Sequence, residues 1–68
     1  MKVRIFNSSA IKLAKSDNRT LTITFTSGGE YKYDDVPEDV VNAFWKADSA
    51  GQFYHRNIRG QYKWEKVS

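Results

Sequence analysis

The sequence contains no cysteine, one histidine and one proline, and none of its apolar runs is long. The absence of cysteine excludes a disulfide framework and a thiolate metal site. No run approaches the roughly 18 apolar residues that a membrane-spanning helix needs. The basic N-terminus is followed by polar residues 7–9 and not by the apolar segment of a signal peptide. We therefore expect a cytoplasmic protein with no membrane partner.

Aromatic residues are plentiful instead, at 15% of the 68 residues. A chain of this length forms one domain, here residues 1–68, and buries only about 60% of the surface that it exposes when unfolded. Each buried ring removes roughly 150–250 Å² from water. We therefore expect aromatic side chains to supply the stabilisation that disulfides supply in other small domains.

The net charge of +3 is distributed unevenly along the chain. Residues 1–26 carry five basic and one acidic side chain (+4), residues 27–43 one basic and five acidic (−4), and residues 44–68 five basic and two acidic (+3). A basic balance is compatible with a phosphate-backbone partner, although it is also common in soluble domains. Charge alone therefore does not identify a partner.

An antiparallel β-meander is predicted by the alternation of apolar and polar residues in the first half of the chain. The clearest strand covers residues 20–26, a shorter one contains Ile11 and Leu13, and a third contains Tyr31 and Tyr33. Residues 16–18 and 27–29 are rich in turn formers and are interpreted as three-residue loops. The segment around Val3 is a candidate for an additional strand.

These loops predict which residues face each other. The predicted pairs are Leu13 with Leu21, Ile11 with Ile23, Phe25 with Tyr31, and Ile23 with Tyr33. The predicted buried face consists of Ile11, Leu13, Leu21, Ile23, Phe25, Tyr31 and Tyr33. A two-residue loop at Gly28 and Gly29 would instead turn both tyrosines onto the opposite, threonine-rich face, as a platform for stacking bases. The loop chemistry favours burial over the platform.

Two helices are predicted in the second half of the chain. Pro37 suits the first position of a helix that runs to about Ala47, with Asp34 or Asp35 as its cap. The apolar stripe of this helix consists of Val40, Val41, Phe44 and Trp45. A second, short helix begins at a capping box formed by Ser49 and Gln52 and ends near Gly60. Residues 61–66 then form either an edge strand or an arm across the core.

The sequence contains few residues that could support catalysis. His55 is the only histidine, and a general base needs a positioned partner. The acidic residues within 34–39 lack the spacing of a calcium loop and suit a helix N-terminus. Gly28 and Gly29 belong to a hairpin and not to a phosphate-binding loop. We therefore predict a protein that is not an enzyme and has no cofactor or metal site.

A basic and aromatic surface is the remaining functional candidate. Its predicted nucleic-acid-binding residues are Lys46, Arg56, Arg59, Tyr62, Lys63 and Trp64. The spacing predicts that Arg56 and Arg59 share a helix face and that His55 adjoins Arg59. Arginine beside exposed aromatic rings can bind phosphate and stack on bases. The same pattern also fits a solvated helix face beside core aromatics, so both interpretations stay open.

Several segments taken together resemble the KTSC domain family. They are Ser8-Ser9-x-Ile11, Leu21-x-Ile23-x-Phe25, Gly28-Gly29-x-Tyr31-x-Tyr33, Val36-Pro37, Ala47-x-Ser49-x-Gly51-x-Phe53-Tyr54 and Ile58-Arg59-x-x-Tyr62. That family occurs at the C-terminus of some lysyl-tRNA synthetases and as small stand-alone proteins of bacteria and phages. The resemblance implies RNA binding, through its association with the synthetases. Asp48 departs from the neutral residue expected there and places an acid beside the basic surface.

We predict an α+β fold in which a three-stranded antiparallel β-meander is followed by two short helices packed on one face of the sheet. The predicted function is a non-catalytic accessory module that binds nucleic acid, RNA in particular, as a monomer or weak homodimer. The alternative is a protein–protein interaction module, such as a phage or mobile-element protein that docks on a host complex. The acidic segment 27–43 favours this alternative, because it would repel a long polyanion.

Overall fold

The computed structural model describes residues 1–68 and is an α+β fold with one five-stranded antiparallel sheet. The strands are β1 Lys2–Ile5, β2 Ile11–Asp17, β3 Thr20–Phe25, β4 Glu30–Tyr33 and β5 Trp64–Lys66, and the helices are α1 Glu38–Lys46 and α2 Ala50–Asn57. The strands lie in sequence order, and both helices are inserted between β4 and β5. Neither helix has the length and apolarity that crossing a membrane requires.

The α+β class is confirmed, whereas the predicted number of three strands is wrong. β1 pairs with β2, with Ile5 opposite Leu13, and β5 pairs with β4, with Trp64 opposite Tyr33. The two outer strands contain four and three residues and are mostly exposed. Strands this short and exposed show little of the alternation between apolar and polar residues from which strands are predicted. Both strands lie in segments that the sequence leaves open as strands.

The hairpin between β2 and β3 has a shorter turn than predicted. Asn18 and Arg19 alone form it, with φ of 52° and 67°, the positive values that a type I′ turn requires at both central positions. Leu13 consequently lies opposite Thr24 and not opposite Leu21. Because this change turns Leu13 onto the outer face, the prediction that it is buried with the core is wrong.

A contact distant in sequence explains the shorter turn. The Arg19 carbonyl accepts a hydrogen bond from the Val36 N–H at 2.9 Å, which helps to hold a non-glycine residue in the left-handed region. Residues 14 and 16 occupy the inward positions of β2 in this register and are buried. A bulge follows Ile11, which therefore still faces inward, opposite Phe25 and not opposite its predicted partner.

The hairpin between β3 and β4 is shifted by two residues from the predicted register. Tyr31 lies opposite Ile23 and Tyr33 opposite Leu21, because the loop consists of residues 26–28 and not 27–29. A shift of two residues leaves every side chain on its predicted face. Tyr33 is 2% exposed and Tyr31 is half-buried. The prediction that both rings lie on the core side is confirmed, and the platform on the threonine face is wrong.

α1 begins later than predicted and has no side-chain cap. Pro37 is the residue before the first helical residue, and no side chain accepts a capping hydrogen bond, so the predicted cap at Asp34 or Asp35 is wrong. Asp35 instead has a φ of 57° and shapes the turn that leads into the helix. Glu38 and Asp39 in the first turn complement the helix dipole, as predicted.

α2 begins at the predicted cap, where Ser49 Oγ accepts a hydrogen bond from the Gln52 N–H at 3.3 Å. The helix ends at Asn57 with Ile58 as its C-cap, three residues before Gly60, where the sequence predicts its end. Gly60 has a φ of 75° and lies in the turn that leads towards β5. The helix is therefore shorter than its sequence pattern predicts.

The core lies between the inner face of the sheet and the two helices, with Phe44 at its centre. Phe44 is fully buried, and its ring stacks on those of Phe6 and Phe53, with centroids 5.1 and 5.5 Å away. The other large side chains that are fully buried are Ile11, Leu21, Ile23, Val36, Val41 and Ile58. The predicted apolar stripe of α1 is confirmed, because Val40 and Trp45 pack against this core.

Candidate functional site

A cleft of about 660 Å³ opens between the β3–β4 hairpin, the C-terminal end of α2 and β5. Residues 9–11, which lead into β2, also line it. Its volume lies within the range of about 300–1,000 Å³ that is usual for small-molecule sites. Its walls come from chain segments that are distant in sequence, so no local motif defines it.

A series of aromatic rings forms one wall of the cleft. Trp64 is 56% exposed, and its ring centroid lies 5.5 Å from that of Tyr31. Tyr31 packs edge-on against Phe25 at 5.7 Å, and Phe25 packs against Tyr54 at 5.2 Å. These contacts connect the exposed Trp64 to the core, which reduces its freedom to change rotamer. A planar ligand group can stack on the exposed surface of such a ring.

Two tyrosine hydroxyls meet on the inner side of the cleft. The oxygens of Tyr33 and Tyr54 are 2.6 Å apart, so one hydroxyl donates to the other and the second proton is available to a further acceptor. Burial, assisted by this hydrogen bond, raises the pKa of Tyr33 well above its ordinary value of 10.0. Tyr33 is therefore neutral throughout the physiological pH range.

The charged residues that line the cleft are all basic. Arg59 and Lys66 line it together with His55, whereas none of the eight acidic residues of the chain does so. Arg59 Nη1 lies 3.4 Å from His55 Nδ1, and both ion pairs of the structure lie elsewhere. Arg59 therefore has no acidic partner, and a guanidinium that is not in an ion pair can bind a phosphate or carboxylate ligand. No three histidine, aspartate or glutamate side chains cluster in a way that would hold a metal ion.

Two of the six predicted binding residues, Arg59 and Trp64, line the cleft. The other four lie outside it: Lys46 at the end of α1, Arg56 in the last turn of α2, half-buried Tyr62 against the core, and exposed Lys63 just before β5. The structure thus brings together one cation and one aromatic ring of the predicted set.

The predicted relation between Arg56 and Arg59 on one helix face is wrong. α2 ends at Asn57, so Arg59 follows the helix, and its N–H donates to the Tyr54 carbonyl at 2.8 Å. The predicted proximity of His55 and Arg59 is confirmed by their side-chain contact. The early end of the helix therefore separates Arg59 from Arg56 and leaves it beside the cleft.

The sequence prediction missed Lys66 and the tyrosine hydroxyl pair as parts of the site. Lys66 reaches the cleft because it lies opposite Tyr31 when β5 pairs with β4. The pair is formed by Tyr33 and Tyr54. Tyr33 is predicted only as part of the buried face, although a buried tyrosine hydroxyl usually needs a hydrogen-bond partner. That requirement is the one signal in the sequence that favours a contact between these two tyrosines.

The matches to known proteins are consistent with one another. Residues 7–62 match the profile described as the KTSC domain. The chain is 41% identical over 54 residues to a lysine–tRNA ligase of Trichormus variabilis and 44% identical over 50 residues to one of a Nostoc species. These matches cover 79% and 74% of this chain but only 10% and 9% of the ligases. The chain therefore spans about a tenth of the length of these relatives.

Two further relatives have nearly the same length as this chain. An uncharacterized protein of Stutzerimonas stutzeri is 33% identical over 64 residues, which are 91% of this chain and 90% of that protein. The crystal structure of a KTSC domain protein from Yersinia pestis is similar with a TM-score of 0.93 at 33% identity, over 98% of this chain and 97% of that one. The matching segment thus occurs both alone and within a larger enzyme. The chain belongs to the KTSC domain family.

Proposed function

We propose that the chain is a small non-catalytic module that binds single-stranded RNA at the cleft. The observation that carries the proposal is an exposed Trp64 beside the unpaired cations Arg59 and Lys66, around a cleft that no acidic side chain lines. Single-strand binding combines aromatic rings that stack on unpaired bases with cations that neutralise phosphates. Both components are present at this cleft.

The acidic middle of the chain does not oppose this function. The acidic residues within 34–39 lie outside the cleft, around the start of α1. One of them, Glu38, is 3.5 Å from the ammonium group of Lys2. No acidic residue of segment 27–43 lines the cleft, Glu30 included. We therefore expect the basic residues that line the cleft to govern binding there.

The relatives favour RNA over DNA as the polymer. By name, lysine–tRNA ligases act on tRNA, and three of them contain a segment similar to this chain. A domain within such an enzyme is well placed to hold part of its RNA substrate, and a separate copy would retain the same surface. This support is an analogy with the relatives, and it adds to the argument from the cleft.

Each predicted binding residue has a role in the proposal. Trp64 stacks on a base, and Arg59 contacts a phosphate. Lys46, Arg56 and Lys63 extend the positive surface beyond the cleft, where a strand would leave it, and half-buried Tyr62 supports the segment before β5. Contacts to these four residues stay predictions, and we expect them to contribute less than the residues at the cleft.

The test is fluorescence anisotropy of labelled single-stranded RNA, tRNA and duplex DNA, titrated with the protein at low and near-physiological salt. We expect micromolar binding of single-stranded RNA, with log affinity falling against log salt by about 0.7 per phosphate contact. Trp64→Ala should weaken binding by about 1–3 kcal/mol, the usual effect of losing one stacked base. Arg59→Ala should lower both the affinity and the salt dependence.

The matched control is Lys46→Ala, which removes the same charge outside the cleft. We expect it to change the affinity much less than Arg59→Ala does. Equal losses from the two variants would mean that the attraction is generic and would refute the assignment of the cleft. Preference for duplex DNA over single-stranded RNA would refute the stacking mechanism.

A protein partner is the second candidate, and exposed apolar residues on β1 favour it. Val3 and Ile5 are 55% and 78% exposed and lie on the outer face of the sheet, near Leu13. β1 is also an edge strand, with one side free to pair with another chain. A pull-down combined with the RNA titration distinguishes the two functions. Ile5→Glu should abolish capture of such a partner and retain RNA binding. Arg59→Ala should retain capture of the partner and weaken RNA binding.

A further inference from the structure

The size of the cleft suits one nucleotide and not a length of strand. Its volume is about 660 Å³, and the whole protein measures only 26 × 26 × 23 Å. A site of this volume holds a compact ligand. The remainder of any strand would have to run over the surface outside the cleft. The volume therefore limits a ligand inside the cleft to a compact group, of about the size of a nucleotide.

The two chemical parts of a nucleotide have matching groups at the cleft. Trp64 offers an aromatic surface for a base, held in place by its contact with Tyr31. Lys66 is two residues further along β5 and on the same face of the strand. Arg59 lines the same cleft. Because all three side chains line one cleft of about 660 Å³, we expect a base and its own phosphate to contact Trp64 and the two cations together.

The charge of the cleft matches a phosphate monoester better than a bridging diester. A monoester carries about −1.5 to −2 at pH 7, whereas each phosphate within a strand carries one negative charge. Arg59 and Lys66 together provide two positive charges, and no acidic side chain lines the cleft. The tyrosine hydroxyl pair adds one neutral donor. We propose that the cleft binds one nucleotide through its base and a terminal phosphate monoester.

This inference rests on the proposed function and narrows its ligand from a single strand to a phosphorylated strand end. The same chemistry is also present in a free nucleoside monophosphate. Both sources place a base and a monoester on one ribose. The two sources, a strand end and a free nucleotide, are distinguished by comparing mononucleotides with oligonucleotides that differ only at their ends.

The test uses the fluorescence of Trp64 in a Trp45→Phe background, so that one indole reports binding. The first set of ligands is AMP, adenosine and inorganic phosphate, and the second is an oligoadenylate with a 5′-phosphate, a 3′-phosphate or two hydroxyl ends. We expect AMP to bind about tenfold or more tightly than adenosine or phosphate, because ionic hydrogen bonds are added to stacking. We expect a similar preference for one phosphorylated end over the hydroxyl ends.

Arg59→Gln and Lys66→Gln should each reduce that preference to about twofold or less, because each removes one of the two charges that the monoester needs. Both residues are exposed, so the variants should fold, and circular dichroism checks this directly. Lys15→Gln, which removes an exposed charge of β2 that lies outside the cleft and has no role in the proposal, should leave the preference unchanged. Preference retained in both cleft variants would overturn the inference.

The outcomes distinguish this inference from the proposed function. An oligonucleotide that binds equally well with phosphate and hydroxyl ends would overturn the inference and leave single-strand binding intact. Tight binding of AMP without binding of any oligonucleotide would support the nucleotide site and refute the proposed function. Absence of binding by AMP and by every oligonucleotide would refute both.

Discussion

Replacing Tyr54 by phenylalanine is expected to destabilise the protein more than replacing Tyr33, although both changes remove the same hydrogen bond. The two oxygens are 2.6 Å apart, but Tyr33 is 2% exposed whereas Tyr54 is half-buried beside the cleft. Tyr54→Phe leaves the buried Tyr33 hydroxyl without its partner, which costs about 1–3 kcal/mol. Tyr33→Phe leaves a hydroxyl that water can reach, so the loss is that of an ordinary hydrogen bond, about 0.5–1.5 kcal/mol.

The double variant, in which both tyrosines become phenylalanine, tests whether the cost of Tyr54→Phe comes from the Tyr33 hydroxyl that is left without a partner. It removes both hydroxyls and leaves neither buried without a partner, and such paired replacements can be nearly neutral. We therefore expect it to be at least as stable as Tyr54→Phe alone. The two single effects should then fail to add, with a coupling energy of about 0.5–3 kcal/mol.

Urea unfolding followed by circular dichroism measures all four proteins. At about 0.05–0.15 kcal/mol per residue, a domain of this length has a total stability of about 3–10 kcal/mol, so a change of 1 kcal/mol is readily resolved. The midpoints should shift while the slopes remain constant. The reasoning is refuted if Tyr33→Phe costs as much as Tyr54→Phe, or if the two single losses add in the double variant.

Three further predictions concern the core, a tight loop and alkaline pH. Phe44→Ala should cost about 3–5 kcal/mol, and a thermal melt near that of the wild type would contradict the packing. Gly29→Ala should destabilise more than Gly28→Ala in urea unfolding, because both have positive φ but only at Gly29 would a Cβ meet Tyr31 Cε1, at 3.2 Å. Since the pKa of Tyr33 is raised on folding, its contribution to stability is complete below pH 10.0 and is lost as pH rises further. The difference in stability between wild type and Tyr33→Phe should therefore fall above that pH, and a constant difference up to pH 12 would contradict the shift.

Local sequence determinants predicted the centre of the fold correctly. The alternation over residues 20–26 identifies β3, and the side chain of Ser49 identifies the start of α2 by its own hydrogen bond. The inward direction of Tyr31 and Tyr33 is also correct, even though their partners are shifted by two residues. These features depend on residues close together in sequence or on the parity of a strand, which such a shift preserves.

The errors occur where contacts distant in sequence decide the structure. Leu13 faces outward because the turn at Asn18 and Arg19 is one residue shorter than predicted, and the Arg19 carbonyl is held by a hydrogen bond from Val36. The role of Lys66 depends on the pairing of a three-residue strand at the edge of the sheet. No pattern within a few residues contains that information.

The position of the cleft determines which substitutions can separate function from folding. Tyr31, Phe25 and Tyr54 line the cleft and also pack against the core, so their replacement changes stability and binding together. Trp64 and Arg59 line the same cleft but are exposed, and neither belongs to the buried cluster. A loss of RNA binding in these two variants, at unchanged stability, therefore measures contact with the ligand. The sequence prediction named both of them, and they are the positions at which the proposed function is most directly tested.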